Sequence, residues 1–475
     1  MAERNAWEKN FSEWFAEMLE RAEIVDPRYP VKGLYVWLPY GFKIRNNVVS
    51  ILRWLLDESG HSEMLFPILI PEDLFRKEAE HIRGFEGQVY WVTHGGTEPL
   101  DVRLVLRPTS ETAMYPMFSL WIKSHADLPL KIYQVVSVFR YETKMTKPLV
   151  RVREVTTFKE AHTAHASWED AERQVFEAIG IYKRFFDLLG IPSVISKRPK
   201  WDTFAGAVYS IAFDTLAPDG KTLQIGTIHN LGQNFSKVYD VKYEKPDGSH
   251  EYVYQTCYGI SERAIAAVLM VHGDDIGFCL PPLVAPIQIV IVPVIFKEKS
   301  EEIMQTARRI FEILRGAGFR VHLDDRDLRP GNKYYYWERR GVPLRVEIGP
   351  SEVEKSEAML VRRDTGERCT VKVDDLVREV NKILEEISEN LRVRAMKFFE
   401  SRIHRAESVQ EAAQILAEKG GIVKLCWCGS EECGMSIEEK TGGRILGESL
   451  DEKATGKCVN CCGDSEKLIY LAKTY

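Results

Sequence analysis

Two dipeptides, Asp219-Gly220 and Asp247-Gly248, constrain this chain most strongly, because each reads as the tight turn of a β-hairpin. A hairpin joins strands that run in opposite directions, so the first half of the chain is expected to build an antiparallel sheet and not a doubly wound parallel one. Residues 131–162 read as two further strands joined by a polar, basic loop, and residues 169–189 as an amphipathic helix. Gly259-Ile260-Ser261 then opens a helix rich in Ala, Ile and Val, with Ser261 as its N-cap. Upstream, Trp7, Phe11, Trp14, Phe15, Met18 and Leu19 recur at helical spacing as a core stripe. A second helix follows Gly41, with Ile44, Val48, Ile51, Leu52 and Leu55 on one side. It leads into Met64-Leu65-Phe66-Pro67-Ile68-Leu69-Ile70, read as a buried strand. Pro67 has no N–H to give a ladder, so this strand belongs at a sheet edge or an interface.

The rhythm changes after Leu280-Pro281-Pro282-Leu283. A strand over 287–295 precedes a helix over 299–317, a strand over 319–323, a helix around 332–341 and strands near 343–348 and 357–363. That alternation predicts a small α/β domain with a mostly parallel sheet. A helix over 374–398 and a cysteine-rich end complete the chain. The expected organisation is α+β throughout: an antiparallel-sheet domain over 1–283, an α/β domain over 284–390 and a small C-terminal α+β module over 391–475.

No apolar run approaches the roughly 18 residues of a membrane span, and the charged N-terminus has no signal-peptide character. A cytoplasmic protein with no membrane partner is expected. The net charge of −6 means that any nucleic-acid footprint must be a local patch on an acidic molecule. Six of the nine cysteines, Cys426, Cys428, Cys433, Cys458, Cys461 and Cys462, stand near the end. The pairs Cys428/Cys433 and Cys458/Cys461 have the spacing of a four-thiolate structural zinc site, with Cys426 and Cys462 as alternative members. A redox pair is the rival reading, but no thioredoxin-like surround accompanies it.

Three constellations carry the chemistry: Arg107-Pro108-Thr109-Ser110-Glu111-Thr112; Phe139-Arg140-Tyr141-Glu142 with Arg151-Val152-Arg153-Glu154 beyond a loop; and Gly259-Ile260-Ser261-Glu262-Arg263. Together they resemble the class II aminoacyl-tRNA synthetases, which carry a strand with Arg-x-Glu followed by a loop and a late helix with Gly-x-x-x-Arg. The helix and proline-containing strand ending at Pro67 are similar to that family's dimer motif, which implies a homodimer. The chemistry suits such residues. A carboxylate already ionised attacks the α-phosphorus of ATP, so the site needs positioning and charge neutralisation more than a base. The planar donors of arginine pair bidentately with such oxyanions. The resemblance implies that Arg140 holds the α-phosphate and the amino-acid carboxylate and that Arg263 holds the γ-phosphate. Glu142, Arg151, Val152, Phe158, Gln224, Thr227 and Ser261 would complete the ATP site, and Mg2+ would accompany the nucleotide. Many family members place Phe four residues after the equivalent of Arg151 to cover adenine; here Val155 stands there and Phe158 lies three further on. Gly220-Lys221-Thr222 is not a phosphate loop, since Thr215 replaces the required glycine.

Thr109-Ser110-Glu111, Glu160-Ala161-His162-Thr163 and Gly226-Thr227-Ile228-His229 resemble the prolyl-tRNA synthetases, archaeal and eukaryotic-like branch, over essentially the whole chain. This implies activation of L-proline and its transfer to tRNA(Pro). Proline's secondary ammonium would meet Glu111 and Thr109, with Arg140, Glu160, His162 and His229 around it. For His162 a plain hydrogen-bonded histidine is an equal reading, and the pair His162 and His165 offers a metal no third ligand in the sequence. The segment 286–385 resembles an anticodon-binding domain, with Lys333, Arg345 and Glu347 as candidates, or simply as members of a solvated strand face. In similar enzymes the final tyrosine, here Tyr475, folds back toward the active site. The rival readings are a class II synthetase for threonine, glycine or histidine, and a non-catalytic paralogue that only binds tRNA or a partner protein.

Overall fold

The computed structural model describes residues 6–77, 86–295 and 299–475. The charged opening of the chain, residues 1–5, lies outside them. The dominant element is an eleven-stranded sheet. Its centre is antiparallel, as expected: Leu130–Phe139, Glu154–His165, Tyr254–Ser261, Thr222–Gly232, Tyr209–Leu216 and Val194–Lys197 pair in that spatial order. It contains the Asp219-Gly220 hairpin, whereas Asp247-Gly248 turns a separate two-stranded sheet of Lys242–Glu244 and His250–Tyr252. The helices Trp168–Leu188 and Arg263–Val271 pack on one face of it. Their buried stripes, including Val175, Tyr182, Phe185, Ile265 and Val268, join the N-terminal helices in the main core.

Several local expectations change. The first stripe is split into Ala6–Lys9 and Phe11–Arg21, because the carbonyl of Asn10 accepts from Glu13 and Trp14 and starts a new helix. The segment 64–70 is not one buried strand. Ser62–Glu63 pairs at the edge of the large sheet, and Leu69–Pro71 joins a separate three-stranded sheet. Pro67 stands between them, and Leu65 is 82% exposed. Ser261 ends its strand and Glu262 takes the N-cap position. The Ser261 hydroxyl still accepts from the Arg263 N–H, at 3.3 Å.

The second domain has its own core and a five-stranded sheet. Only half of its pairings are parallel: Ile289–Pro293 pairs parallel with Val321–Leu323 and Leu344–Ile348, while Glu357–Arg362 and Arg368–Lys372 return antiparallel. The last of these strands has no counterpart in the sequence reading. Its residues alternate weakly and are mostly exposed.

The tail is joined to the main sheet by hydrogen bonds. Its strand Arg444–Lys457 pairs with Val194–Lys197 through Glu448–Lys197 and Ser449–Ser196, so one sheet runs through both regions. The tail keeps a separate apolar core around Leu425, Trp427, Ile437 and Ile469. Among the described residues, no helix is long and apolar enough to cross a membrane.

Candidate active site

Strand register assembles a cleft of about 430 Å³ on the face of the sheet opposite the two packed helices. Alternation puts Phe158, Glu160 and His162 on the cleft side, while Lys159 points back to the Tyr182 hydroxyl, 2.7 Å away. Three rows cross the sheet. His162 lies opposite Cys257, which lies opposite His229, which lies opposite Ser210. In the next row Gln134, Glu160, Gly259 and Thr227 are neighbours. In the third, Phe158 faces Ser261. A Cβ added at Gly259 would touch the Phe158 ring at 3.4 Å, so glycine keeps the cleft floor low there.

Every residue that the sequence assigned to proline or ATP lines this one cleft: Thr109, Glu111, Arg140, Glu142, Arg151, Val152, Phe158, Glu160, His162, Gln224, Thr227, His229, Ser261 and Arg263. Val155 lines it too. Thr109 and Glu111 enter from the turn before the helix Glu111–Trp121. Ser110 holds the N-cap position but makes no side-chain cap bond. Its hydroxyl instead donates to Glu160 and accepts from Gln134 Nε2 at 2.7 Å, which ties the turn to the sheet. Thr109 Oγ1 donates to Glu111 Oε2 at 2.5 Å. Arg140 Nε donates to the Pro108 carbonyl at 3.1 Å, and Arg263 Nε to that of Val150 at 2.9 Å.

Burial sets the charges. It pushes Glu111 above the usual carboxylate range, with His162 pulling the other way. Glu160 feels the same burial, but the nearby His162 ring, 3.6 Å away, and the bond from Ser110 hold it low. Burial, then His162 and Arg198, depress His229 to about 3, so it is neutral at physiological pH. Its Nδ1 pairs with Ser210 Oγ at 2.7 Å, and its ring lies 4.8 Å from that of Phe204. At the other end, burial and then the nearby Arg140 and Arg151 draw Arg263 down to about 10. The guanidiniums of Arg140, Arg151 and Arg263 therefore crowd one another in the cleft.

Glu262, next to Arg263, is buried and raised to about 7 from 4.5 by desolvation. Its Oε2 accepts from Thr156 N and Oγ1, while Oε1 makes no hydrogen bond. A raised pKa means that the folded state holds the proton more tightly. This contribution to stability is complete below about pH 4.5 and is lost as pH rises through about 7. Glu262→Gln should therefore stabilise the fold at pH 8 by roughly 2–4 kcal/mol and change little at pH 4.5, as read by urea unfolding at the two pH values.

Arg198, Trp201, Phe204 and Cys257 also line the cleft but were not anticipated. Arg198 is held by Asp214 and Gln224 at 3.0 Å each and by the tail carbonyl of Leu446. Cys257 escaped because Gly259-Ile260-Ser261 reads in the sequence as the opening of a helix; with Tyr254–Ser261 a strand, period-two alternation from Ser261 reaches it.

Elsewhere, Cys428, Cys433, Cys458 and Cys461 bring their sulfurs within 4.8 Å of one another. Cys426 and Cys462 are not in that group. Four converging thiols fit a closed tetrahedral zinc site. In the second domain, Arg345 bonds Glu347 at 2.9 Å and Glu338 at 2.6 Å, Arg368 closes on Glu347 at 2.5 Å, and Lys333 donates to the Asp324 carbonyl at 2.9 Å. The three candidates are buried and internally engaged. At the C-terminus, Tyr475 donates to Asp219 at 2.7 Å and stacks near Lys147 and Lys221, beside the loop that carries Glu142 and Arg151.

Comparison with known proteins accords with this geometry. Residues 90–272 match the model of the tRNA synthetase class II core domain (G, H, P, S and T), 288–383 that of the anticodon binding domain, and 409–475 that of the prolyl-tRNA synthetase C-terminal domain. The chain is 58% identical to the proline–tRNA ligase of Methanothermobacter thermautotrophicus, over 95% of this chain and 93% of that protein. It is 55% identical to that of Thermococcus kodakarensis, over 100% and 99%. Among solved structures, the Giardia lamblia prolyl-tRNA synthetase in complex with prolyl-adenylate superposes with a TM-score of 0.97 at 36% identity, covering 100% of both chains. The Cryptosporidium parvum prolyl-tRNA synthetase complexed with halofuginone and AMPPNP gives 0.95 at 32%, covering 100% of this chain and 99% of the other.

Proposed function

Because the chain belongs to the prolyl-tRNA synthetases, we propose that proline occupies the end of the cleft around Glu111 and His229, that ATP occupies the end around Phe158 and Arg263, and that Arg140 lies between them. The enzyme activates L-proline with ATP to prolyl-adenylate and transfers the proline to tRNA. The observation that carries the residue assignment is the crowding of Arg140, Arg151 and Arg263, which repel one another unless a polyanion enters. ATP, entering as its Mg2+ complex, supplies that charge.

The first step needs no proton transfer. The proline carboxylate attacks the α-phosphorus, pyrophosphate leaves, and Arg140 bridges nucleophile and phosphate. Glu111, pushed up by burial, becomes fully ionised when the proline ammonium docks against it, while Thr109 orients it. Neutral His229 and Phe204 wall the ring without adding charge. Packing alone separates proline from smaller amino acids by only about 1–3 kcal/mol, so alanine and cysteine should be activated weakly. The deciding experiment is ATP–pyrophosphate exchange with single amino acids. Proline should drive the fastest exchange; faster exchange with threonine, glycine or histidine would refute the assignment.

A homodimer is proposed through the region 41–71, supported by the outward-facing apolar side chains Phe42, Trp54, Leu65, Ile68 and Leu69. Leu65→Asp should convert a dimer to a monomer at micromolar concentration, as measured by light scattering. For the tail, we assign one structural zinc to Cys428, Cys433, Cys458 and Cys461. Lys333, Arg345 and Glu347 remain the proposed anticodon readers, with the anticodon bases exchanging for the Arg345 and Glu347 ion pairs and for the bond from Lys333 to the Asp324 carbonyl. We keep the divisions near 283 and 390; three separate cores support three regions, while the helix Leu376–Ser401 runs across the second division, and a cytoplasmic location suits a tRNA substrate.

A further inference from the structure

We propose that Glu111, His162 and Cys257 form a divalent-metal site at the proline end of the cleft, which takes Zn2+ when proline is absent and holds the enzyme in a metal-inhibited resting form. The inhibition rests on the assignment of Glu111 to the proline ammonium; the metal site does not. The three residues come from three separate elements, the helix Glu111–Trp121 and the strands Glu154–His165 and Tyr254–Ser261. One ligand atom of each lies within 4.8 Å of the other two, and all three side chains are buried.

The orientation of each ligand is already set. Thr109 occupies Glu111 Oε2, leaving Oε1 facing the Cys257 sulfur at 3.9 Å. The Tyr115 hydroxyl holds His162 Nδ1 at 2.8 Å, which fixes the ring and leaves Nε2 buried without a hydrogen bond, 3.6 Å from Glu160 Oε2. A metal-ligating imidazole is commonly braced in this way through its other nitrogen. Thiolate, imidazole and carboxylate form a zinc donor set, and three protein ligands leave a fourth position open toward the cleft for water. Binding forms Zn–S, Zn–N and Zn–O bonds and releases the thiol proton to solvent, with no redox change. The ion and the proline ammonium require the same Glu111 oxygen, so they exclude each other.

The test uses the full-length enzyme with its tail thiols zinc-loaded, compared with Cys257→Ala, in which those thiols are unchanged. Equilibrium dialysis against Zn2+ should give the intact protein one more equivalent than the variant. Added Co2+ should give a thiolate-to-cobalt absorption band that depends on Cys257. Zn2+ should inhibit pyrophosphate exchange with a half-inhibiting concentration that rises with proline and that is at least about tenfold higher in the variant, each protein being compared with its own metal-free rate. Equal zinc stoichiometry in the two proteins would overturn the site whether or not the variant is active, and so would equal sensitivity to inhibition. An extra equivalent bound through Cys257 whose inhibition ignores proline would leave the metal site standing and overturn Glu111 as the partner of the proline amine.

Discussion

Arg140→Ala and Arg263→Ala should each reduce proline-dependent pyrophosphate exchange by about a thousandfold or more while leaving the circular dichroism spectrum unchanged. Both guanidiniums are half-buried in the wall of the cleft and are anchored through Nε. Arg263 gives its Nε to Val150, and Arg140 gives its Nε to Pro108, a loop carbonyl beside the substrate turn. Removing Arg263 relieves its repulsion with Arg140 and Arg151, and removing Arg140 relieves a desolvated charge while giving up its attraction to Glu160, Glu111 and Glu142, so folding should be largely spared in both. On the proposed assignment, what is lost is the charge that meets the phosphates as pyrophosphate departs. Lysine should rescue poorly at Arg140, because a point charge cannot bridge carboxylate and phosphate together. Near-normal exchange in either alanine variant would remove that residue from the chemistry.

The second large effect concerns the tail. Replacing Cys428 and Cys461 by serine together should abolish zinc binding, lower the unfolding temperature and make the chain beyond about residue 400 sensitive to protease. Loss of a structural zinc removes folding free energy directly. The damage should not stop at the tail. Its Leu446 carbonyl accepts from Ser196 Oγ and from Arg198, and Arg198 reaches Gln224 in the wall of the cleft. Exchange activity should therefore fall along with the zinc. Metal analysis, limited proteolysis and exchange on the same sample check this. Full activity in a zinc-free, protease-sensitive protein would separate the two regions.

The cleft was readable in advance because its chemistry is written locally. Arg140 and Glu142 share a strand end, and Glu160 and His162 share one face through period-two alternation. What escaped depended on distant chain segments. Arg198 looks like one more basic residue in Lys197-Arg198-Pro199-Lys200 until Asp214, Gln224 and Leu446 surround it. The exposure of Leu65 escaped because Met64-Leu65-Phe66 reads as apolar whichever way it faces. Arg345 and Glu347 are two apart on one strand, so the same alternation that put them on one face also let them pair with each other. The mixed second sheet was misread because Arg368–Lys372 is an edge strand with almost no apolar signal.

The shared sheet also bears on how the protein is made. The strand Val194–Lys197 leaves the ribosome with one edge unpaired, and its covering partner lies about 250 residues downstream. At about 5–20 residues per second, the nascent chain carries that open edge for roughly 12–50 s. An unpaired edge invites strand addition from neighbouring chains on a polysome. Lys197 ends that strand, and Arg198, Pro199 and Lys200 follow directly, so the edge is flanked by charge and stopped by a residue without an N–H. Their charge and the missing N–H guard the open strand until translation is nearly complete.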